Sequence, residues 1–155
     1  MNDKAREYPY GAVAYERIQA FRALSDDPHR LIRLYLSSAQ SKAIELLQAM
    51  ITDVGCDDVK VDDLGTVNGR YFGTETNPKS LLIGSHIDTV VDAGAYDGKL
   101  GIVAGISVIA YLKQKQIRYP FTIEIIAFGD EENVRFPSNL SSSRALAGTF
   151  DPLIL

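Results

Sequence analysis

The chain has 155 residues, a formal net charge of −4 and 46% hydrophobic residues, values that are typical of one globular domain. The mildly acidic charge argues against nucleic acid as a partner, because phosphate binding requires clustered Lys and Arg, and the 16 basic residues here are scattered. The single cysteine, Cys56, excludes an intrachain disulfide, so we expect a reducing, cytoplasmic location.

Two helices are predicted in the first third of the chain. Apolar residues at helical spacing indicate the first over residues 12–24 and the second over residues 39–54. Ser37 and Ser38 offer an N-cap for the second helix, and Gly55 is placed to end it. Between the two helices, residues 29–36 form a short apolar run whose type cannot be decided from its period.

A β-hairpin and then a strand–helix–strand unit are predicted to follow. Residues 59–61 and 66–72 read as the strands of the hairpin, and residues 62–65 (Asp-Asp-Leu-Gly) read as the turn between them. Residues 81–85 and 121–128 are continuously apolar, so we expect strands with both faces covered by helices. The helix between them, residues 100–114, is rich in glycine and too short to span a membrane, which needs roughly 20 apolar residues. The predicted fold class is therefore α/β, with a mostly parallel sheet covered by helices.

Metal-ligating side chains follow both of these apolar strands. Because ligands bind at the carboxyl ends of parallel strands, the two groups are expected to meet. Close carboxylate pairs, about 4 Å apart, would each cost on the order of 4 kcal/mol at an effective dielectric of about 20, and a divalent cation would remove that cost. The expected cluster consists of His86, Asp88, Asp97, Asp130, Glu131 and Glu132.

The spacing of these residues suggests how they divide the work. Alternation in an extended segment puts His86 and Asp88 on one side, where the carboxylate can orient the imidazole. Glu131 and Glu132 are adjacent and point in different directions, so one can bind a metal while the other stays free as a base. Asp97 precedes a glycine at a helix start, where its two oxygens could reach two metals. The chemistry that this set favours is metal-assisted hydrolysis of an amide or ureido bond.

At these residues the chain resembles the M20-type metallohydrolases. The similarity is to their amidase branch, which includes allantoate amidohydrolase, N-carbamoyl-L-amino-acid hydrolase and β-ureidopropionase, and within that branch it points most to allantoate amidohydrolase. The matching stretches are GSHIDTV at residues 84–90, YDGKLGIVAG at 96–105, AFGDEENVRF at 127–136 and SRALAG at 143–148. The chain departs from the branch at Ser142, where members often carry glycine.

The resemblance implies a zinc-exopeptidase-like catalytic domain that hydrolyses a small-molecule substrate with two Zn²⁺ or Mn²⁺ ions. By that likeness, His86 binds one metal, Asp97 bridges both and Glu132 binds the other. Glu131 is then the general base, and Asp88 supports His86.

Family members are longer than this chain and carry further metal ligands and a domain through which they dimerise. Two metals that share one carboxylate need about seven contacts, and His86, Asp97 and Glu132 supply fewer. We therefore expect residues 1–155 to be the N-terminal part of the catalytic domain, without the dimerisation (lid) domain and with little activity alone. Two alternatives stay open: a metal-binding or interaction module without catalysis, and an M20-type hydrolase that resembles aminopeptidases.

Overall fold

The computed structural model describes residues 9–136 and 140–154 and forms an α/β unit with one four-stranded sheet. A short 3₁₀ turn, Pro152–Ile154, follows the last helix. The helices are α1 (Tyr10–Arg22), α2 (Ser38–Asp53), α3 (Lys99–Gln114) and α4 (Ser141–Leu146), and the strands are β1 (Asp58–Val61), β2 (Val67–Tyr71), β3 (Ser80–His86) and β4 (Thr122–Phe128).

The predicted helices are confirmed to within about two residues at each end. The hydroxyl of Ser37 accepts a hydrogen bond from the backbone N–H of Gln40 at 3.2 Å, which is the predicted N-cap of α2. Gly55 follows α2 with φ of +93°, a conformation that a glycine adopts at little cost. The ambiguous residues 29–36 form neither a helix nor a strand.

The predicted hairpin is confirmed as β1 and β2, which pair antiparallel. Asp62 forms the turn between them, because its Oδ1 accepts hydrogen bonds from the N–H groups of Leu64 at 2.9 Å and Thr66 at 2.8 Å. Gly65 adopts φ of +73° in the same turn. An Asx-type turn of this kind needs only local sequence, which is why the hairpin could be predicted.

The strand order is β1-β2-β4-β3, and the α/β class is confirmed. Among the described residues the sheet is mixed rather than mostly parallel, because only β3 and β4 pair parallel, with His86 opposite Phe128. The pairs β1–β2 and β2–β4 are antiparallel. The hairpin adds its strands beside β4, so the parallel character is confined to the predicted strand–helix–strand unit.

The two faces of the sheet are covered unequally. The prediction that helices cover both faces is wrong for β3, where Leu81 and Leu82 are 51% and 52% exposed, whereas β4 is mostly buried. The reason is position, since β3 ends the strand order of the described sheet, while Ile83 and Ser85 lie against α3. Leu82 lies on the opposite face, which we call the open face of the sheet.

Glycines let α3 approach this sheet closely. A Cβ at Gly101 would lie 2.9 Å from the Cβ of Ser85, and one at Gly105 would lie 3.1 Å from Cγ2 of Ile83. The first distance is too short for a side chain and the second is tighter than an ordinary contact, so the glycines of α3 allow its close approach to β3. Among the described residues, no helix is both long enough and apolar enough to span a membrane.

Candidate metal centre

The structure brings together most of the residues predicted to form the site. His86 is the last residue of β3, and the loop that carries Glu131 and Glu132 follows β4 directly. Because these strands are parallel, both groups arrive at the same edge of the sheet. Among the described residues, His86, Glu131 and Glu132 place one potential ligand atom each within 4.8 Å of one another, which is close enough to share an ion.

The imidazole of His86 is held so that one ring nitrogen faces the carboxylates. Its Nδ1 lies 3.2 Å from the backbone carbonyl oxygen of Asp88 and 3.4 Å from that residue's Oδ1. With the ring proton on Nδ1, the imidazole donates to Asp88 and leaves the lone pair of Nε2 free. Nε2 lies 3.5 Å from Oδ1 of Asp97 and 3.9 Å from Oε2 of Glu131. Two zinc ligands at a tetrahedral angle lie about 3.4 Å apart, so the His86–Asp97 separation fits a shared ion.

Gly98 makes the close approach of Asp97 possible. It has φ of +67°, and a Cβ there would lie 2.4 Å from the backbone oxygen of His86 and 2.8 Å from the ring atoms Nδ1 and Cε1. Any side chain would therefore push the Asp97 turn away from the imidazole. The Asp-Gly pair that stood out in the sequence is a steric requirement of the site.

The electrostatics of the cluster also fit a bound cation. Burial lowers the pKa of His86, but the neighbouring carboxylates of Asp88, Glu131 and Glu132 outweigh this effect and raise it overall. Burial raises the pKa of Glu132, and the carboxylates of Asp97 and Glu131 raise it further against the opposing effect of His86. The Oε1 atom of Glu132 is buried, and no donor among the described residues reaches it. A buried carboxylate oxygen without a donor, beside other carboxylates, is what a metal ligand looks like without its metal.

Asp130 does not join the cluster, contrary to the sequence-based expectation. It is 1% exposed, and burial raises its pKa, while the hydroxyl and backbone N–H of Ser141 act in the opposite direction. Its carboxylate thus lies beside the start of α4. Successive residues after β4 point in different directions, so Glu131 and Glu132 reach His86 and Asp130 does not.

Asp88 links the two strand ends. It is 2% exposed, and its Oδ2 accepts hydrogen bonds from the backbone N–H groups of Glu131 and Glu132, both at 3.0 Å. The sequence predicted its contact with His86 but gave no sign of this second contact. Asp88 therefore contacts the imidazole through its backbone carbonyl and fixes, through its carboxylate, the loop that carries the two glutamates.

Two buried cations near Asp88 were missed from the sequence as members of this site. Arg33 is fully buried, and its Nε donates to the carbonyl of Ile87 at 2.7 Å. Lys99 is 1% exposed, and burial together with the charge of Arg33 lowers its pKa to about 8. In the structure Leu31, Arg33 and Tyr35 are buried and the residues between them are less so, but those residues are apolar too, so the sequence shows no alternation.

Comparison with known proteins identifies the family. The sequence model of peptidase family M28 matches residues 66–151, which is more than half of the chain and includes the clustered residues His86, Asp88, Asp97, Glu131 and Glu132. The chain belongs to peptidase family M28. This match does not state the M20 name predicted from the sequence, whereas the amidase branch is supported by the relatives.

Among those relatives, allantoate deiminase 1 from Glycine max is 43% identical over 139 residues, which cover 87% of this chain and 28% of that protein. The N-carbamoyl-L-amino acid amidohydrolase from Geobacillus stearothermophilus is 35% identical over 143 residues, which cover 92% of this chain and 35% of that protein. The chain therefore spans about a third of the length of these relatives.

Solved structures confirm the fold. A hydantoinase/carbamoylase family amidase from Burkholderia ambifaria superposes with a TM-score of 0.85 and 27% identity, over 92% of this chain and 35% of that one. A putative zinc-dependent exopeptidase from Bacteroides vulgatus shares the fold at a TM-score of 0.58 and 20% identity, over 85% of this chain and 51% of that one. The zinc-exopeptidase-like fold predicted from the sequence is thus confirmed.

Proposed function

We propose that this chain carries part of a two-metal centre that hydrolyses amide or ureido C–N bonds in small molecules, as in the M20-type amidase branch. The expected substrates are allantoate or an N-carbamoyl amino acid. The observation that supports this most is the convergence of His86, Glu131 and Glu132 within 4.8 Å, with Asp97 3.5 Å from the imidazole. Relatives named as allantoate deiminase and N-carbamoyl-L-amino acid amidohydrolase support the bond type.

The proposed ligands are His86, Asp97 and Glu132. Asp97 has one oxygen near His86, and its charge also acts on Glu132, so it stands between the two other ligands as a bridging carboxylate would. Glu132 has a buried oxygen without a donor, which suits a ligand. The side chain of Glu131 is 43% exposed, so water can reach its carboxylate, which suits a base.

A divalent cation held there, Zn²⁺ or Mn²⁺, would make water more acidic and polarise the carbonyl under attack. Glu131 takes a proton from the attacking water as its oxygen bonds to the carbonyl carbon. The same carboxyl then returns that proton to the leaving nitrogen as the C–N bond breaks, so protons balance over the cycle. Asp88 keeps His86 oriented and holds the backbone of Glu131 throughout.

Metal binding tests this assignment directly. The chain has two histidines, so His29→Ala is a matched control for His86→Ala, because His29 is exposed and lies outside the cluster. In calorimetric titrations with Zn²⁺ and Mn²⁺, we expect His86→Ala to weaken binding at least tenfold and His29→Ala to leave it unchanged. Equal binding by the wild type and His86→Ala would refute the site.

The two glutamates can be separated in the same experiment. We expect Glu132→Gln to weaken metal binding about tenfold or more, because a ligand loses its charge. Glu131→Gln should retain the affinity, since a base need not bind the ion. The reverse pattern would exchange the two roles.

The ligand set in this chain is smaller than the roughly seven contacts that two metals need. We therefore propose that the 155-residue chain has little or no activity alone. Ammonia release from allantoate and from N-carbamoyl amino acids, measured with Zn²⁺ or Mn²⁺ present, should be close to background. Robust metal-dependent turnover would contradict this proposal. The dimerisation domain of longer family members, and the division of domains between them and this chain, stay predictions.

A second candidate function is peptide hydrolysis, which the match to a peptidase family favours. An aminoacyl p-nitroanilide offered beside the ureido substrates separates the two, and turnover of the anilide alone would support the peptidase. If one ion binds tightly and raises the melting temperature without any turnover, a metal-binding module is the better description.

A further inference from the structure

The loop that follows β4 is held by side chains from two other parts of the chain. β4 ends at Phe128, where the backbone carbonyl accepts from the N–H of Ile87 at 2.9 Å, and the strand pairing stops there. The next four N–H groups, of residues 129–132, all donate to side-chain oxygens instead. We call residues 129–132 the glutamate loop.

Ser142 and Asp88 divide these four N–H groups between them. The hydroxyl oxygen of Ser142 accepts from Gly129 at 3.1 Å and from Asp130 at 3.2 Å. Asp88 accepts from the following two residues, as described above. Ser142 is 1% exposed, so water cannot easily replace its hydroxyl, and a buried N–H without a partner costs roughly 1–3 kcal/mol.

The other side of the loop is filled by protein. A Cβ at Gly129 would lie 3.0 Å from the carbonyl oxygen of Leu64, 3.3 Å from Nε2 of Gln40 and 3.3 Å from Cε2 of Tyr35. Gln40 also donates from Nε2 to the carbonyl of Gly129. The loop thus lies between Gln40 on one side and the hydroxyl of Ser142 on the other, so its backbone is restrained from both sides.

We propose that Ser142 is a positioning residue of the metal centre, an inference that rests on the proposed function. Its hydroxyl, on α4, fixes the first half of the glutamate loop as Asp88 fixes the second half. Both anchors together hold Glu131 and Glu132 within reach of His86. The short helix α4 would therefore support metal binding through the loop without supplying a ligand.

Ser142→Ala is the variant that tests this, and Ser143→Ala is its matched control. Both serines lie in α4, but the hydroxyl of Ser143 donates to the carbonyl of Leu140 at 3.1 Å. Among the described residues it makes no hydrogen bond to the glutamate loop. We expect Ser142→Ala to weaken Zn²⁺ or Mn²⁺ binding in calorimetry about tenfold, and Ser143→Ala to leave it unchanged. Ser142→Thr keeps a hydroxyl and should recover most of the affinity.

Amide hydrogen exchange in the metal-free protein provides a second readout. In the wild type, the N–H groups of residues 129–132 should exchange slowly for a loop, and Ser142→Ala should speed up exchange at all four positions. A fall in melting temperature with unchanged metal affinity, or faster exchange at residues 129 and 130 alone, would overturn the positioning role. Fast exchange at all four positions in the wild type would overturn it even if Ser142→Ala failed to fold.

The two hypotheses fail in different ways. If the wild type binds neither Zn²⁺ nor Mn²⁺, the proposed function fails, and the exchange data still decide whether Ser142 holds the glutamate loop. If the wild type binds metal and Ser142→Ala binds it equally well, only the role of Ser142 fails.

Discussion

Arg33 is a fully buried arginine whose side chain holds together three backbone segments. Its Nε donates to the carbonyl of Ile87, and its Nη1 donates to the carbonyls of Phe21 and Leu24 at 2.7 and 2.8 Å. The last two carbonyls lie at the C-terminal end of α1, where the helix dipole favours a cation. Burial lowers the pKa of Arg33 to about 10, so the guanidinium stays charged at neutral pH.

Because of this geometry, another cation cannot make the same hydrogen bonds as the guanidinium. A lysine has one compact ammonium group and cannot reach carbonyls that a planar fork bridges, so we expect Arg33→Lys to lower the free energy of unfolding by roughly 2–3 kcal/mol. Urea unfolding measures this. Arg30→Lys is the control, because Arg30 is 51% exposed in an ion pair with Asp27, and its replacement should change stability by less than about 0.5 kcal/mol. Equal effects of the two variants would show that Arg33 is not the link described.

At the residue scale, the sequence indicated the ligands but not their supports. His86, Asp97 and Glu132 could be predicted because ligand types stood at the ends of apolar segments. Arg33 and Ser142 could not be assigned from the sequence in the same way, because their partners are backbone groups, which every residue has. Contacts of this kind depend on the path of the chain and leave no residue pattern.

At the scale of elements, Asp57 and Arg118 join the hairpin to the segment that precedes β4. The two side chains form a bidentate ion pair, in which Nη2 of Arg118 lies 2.9 Å from Oδ1 of Asp57. Asp57 also accepts from the N–H of Phe72 at 2.7 Å, and Arg118 lies 3.7 Å from the ring centroid of Tyr71. The hydrogen bond from Arg118 lowers the pKa of Asp57 below its usual 3.8, although burial opposes this.

A lowered pKa in the folded state means that the pair stabilises the protein at neutral pH. The contribution is complete above the unfolded pKa near 4 and is lost as the pH falls through the lower folded value. We expect Asp57→Asn to reduce the free energy of unfolding by about 1–2 kcal/mol at pH 6 and by progressively less below pH 4. Denaturant unfolding across that pH range measures it.

Asp58→Asn is a matched control for this prediction. Asp58 is the next residue and has the same side-chain exposure of 27%, but its partner, Lys60, is 71% exposed. An ion pair of that kind contributes about 0–1 kcal/mol, so its loss should be small. A difference between Asp57→Asn and wild type that stays constant down to pH 2 would mean that the ion pair is not the cause.

The elements themselves were predictable where their causes are local. Capping by Ser37, the stop at Gly55 and the turn at Asp62 each involve residues within a few positions, and all three agree with the structure. The exposure of β3 was not predictable, because an apolar run does not reveal whether its strand lies inside a sheet or at its edge. Leu82 is an apolar residue of the kind found in buried strands, but it is exposed.

At the scale of the whole molecule, the open face and the β3 edge leave apolar side chains of the described sheet exposed. Leu81 and Leu82 are both more than half exposed, and β3 ends the strand order of the described sheet. An exposed apolar edge strand recruits further strands through its unpaired backbone groups. We therefore expect the purified 155-residue chain to self-associate with rising concentration in sedimentation velocity experiments.

A charge on this edge should oppose that association. Lysine is a residue that natural edge strands use for this purpose, so we expect Leu82→Lys to shift the sedimentation profile toward monomer with little loss of stability, because Leu82 is already 52% exposed. Tyr15→Lys is the control, since Tyr15 is 54% exposed and lies on α1 rather than on a strand. A wild-type chain that sediments as a monomer at every concentration would contradict the prediction. If both variants reduced self-association equally, a general increase in positive charge would explain the effect, and the β3 edge would not be the contact.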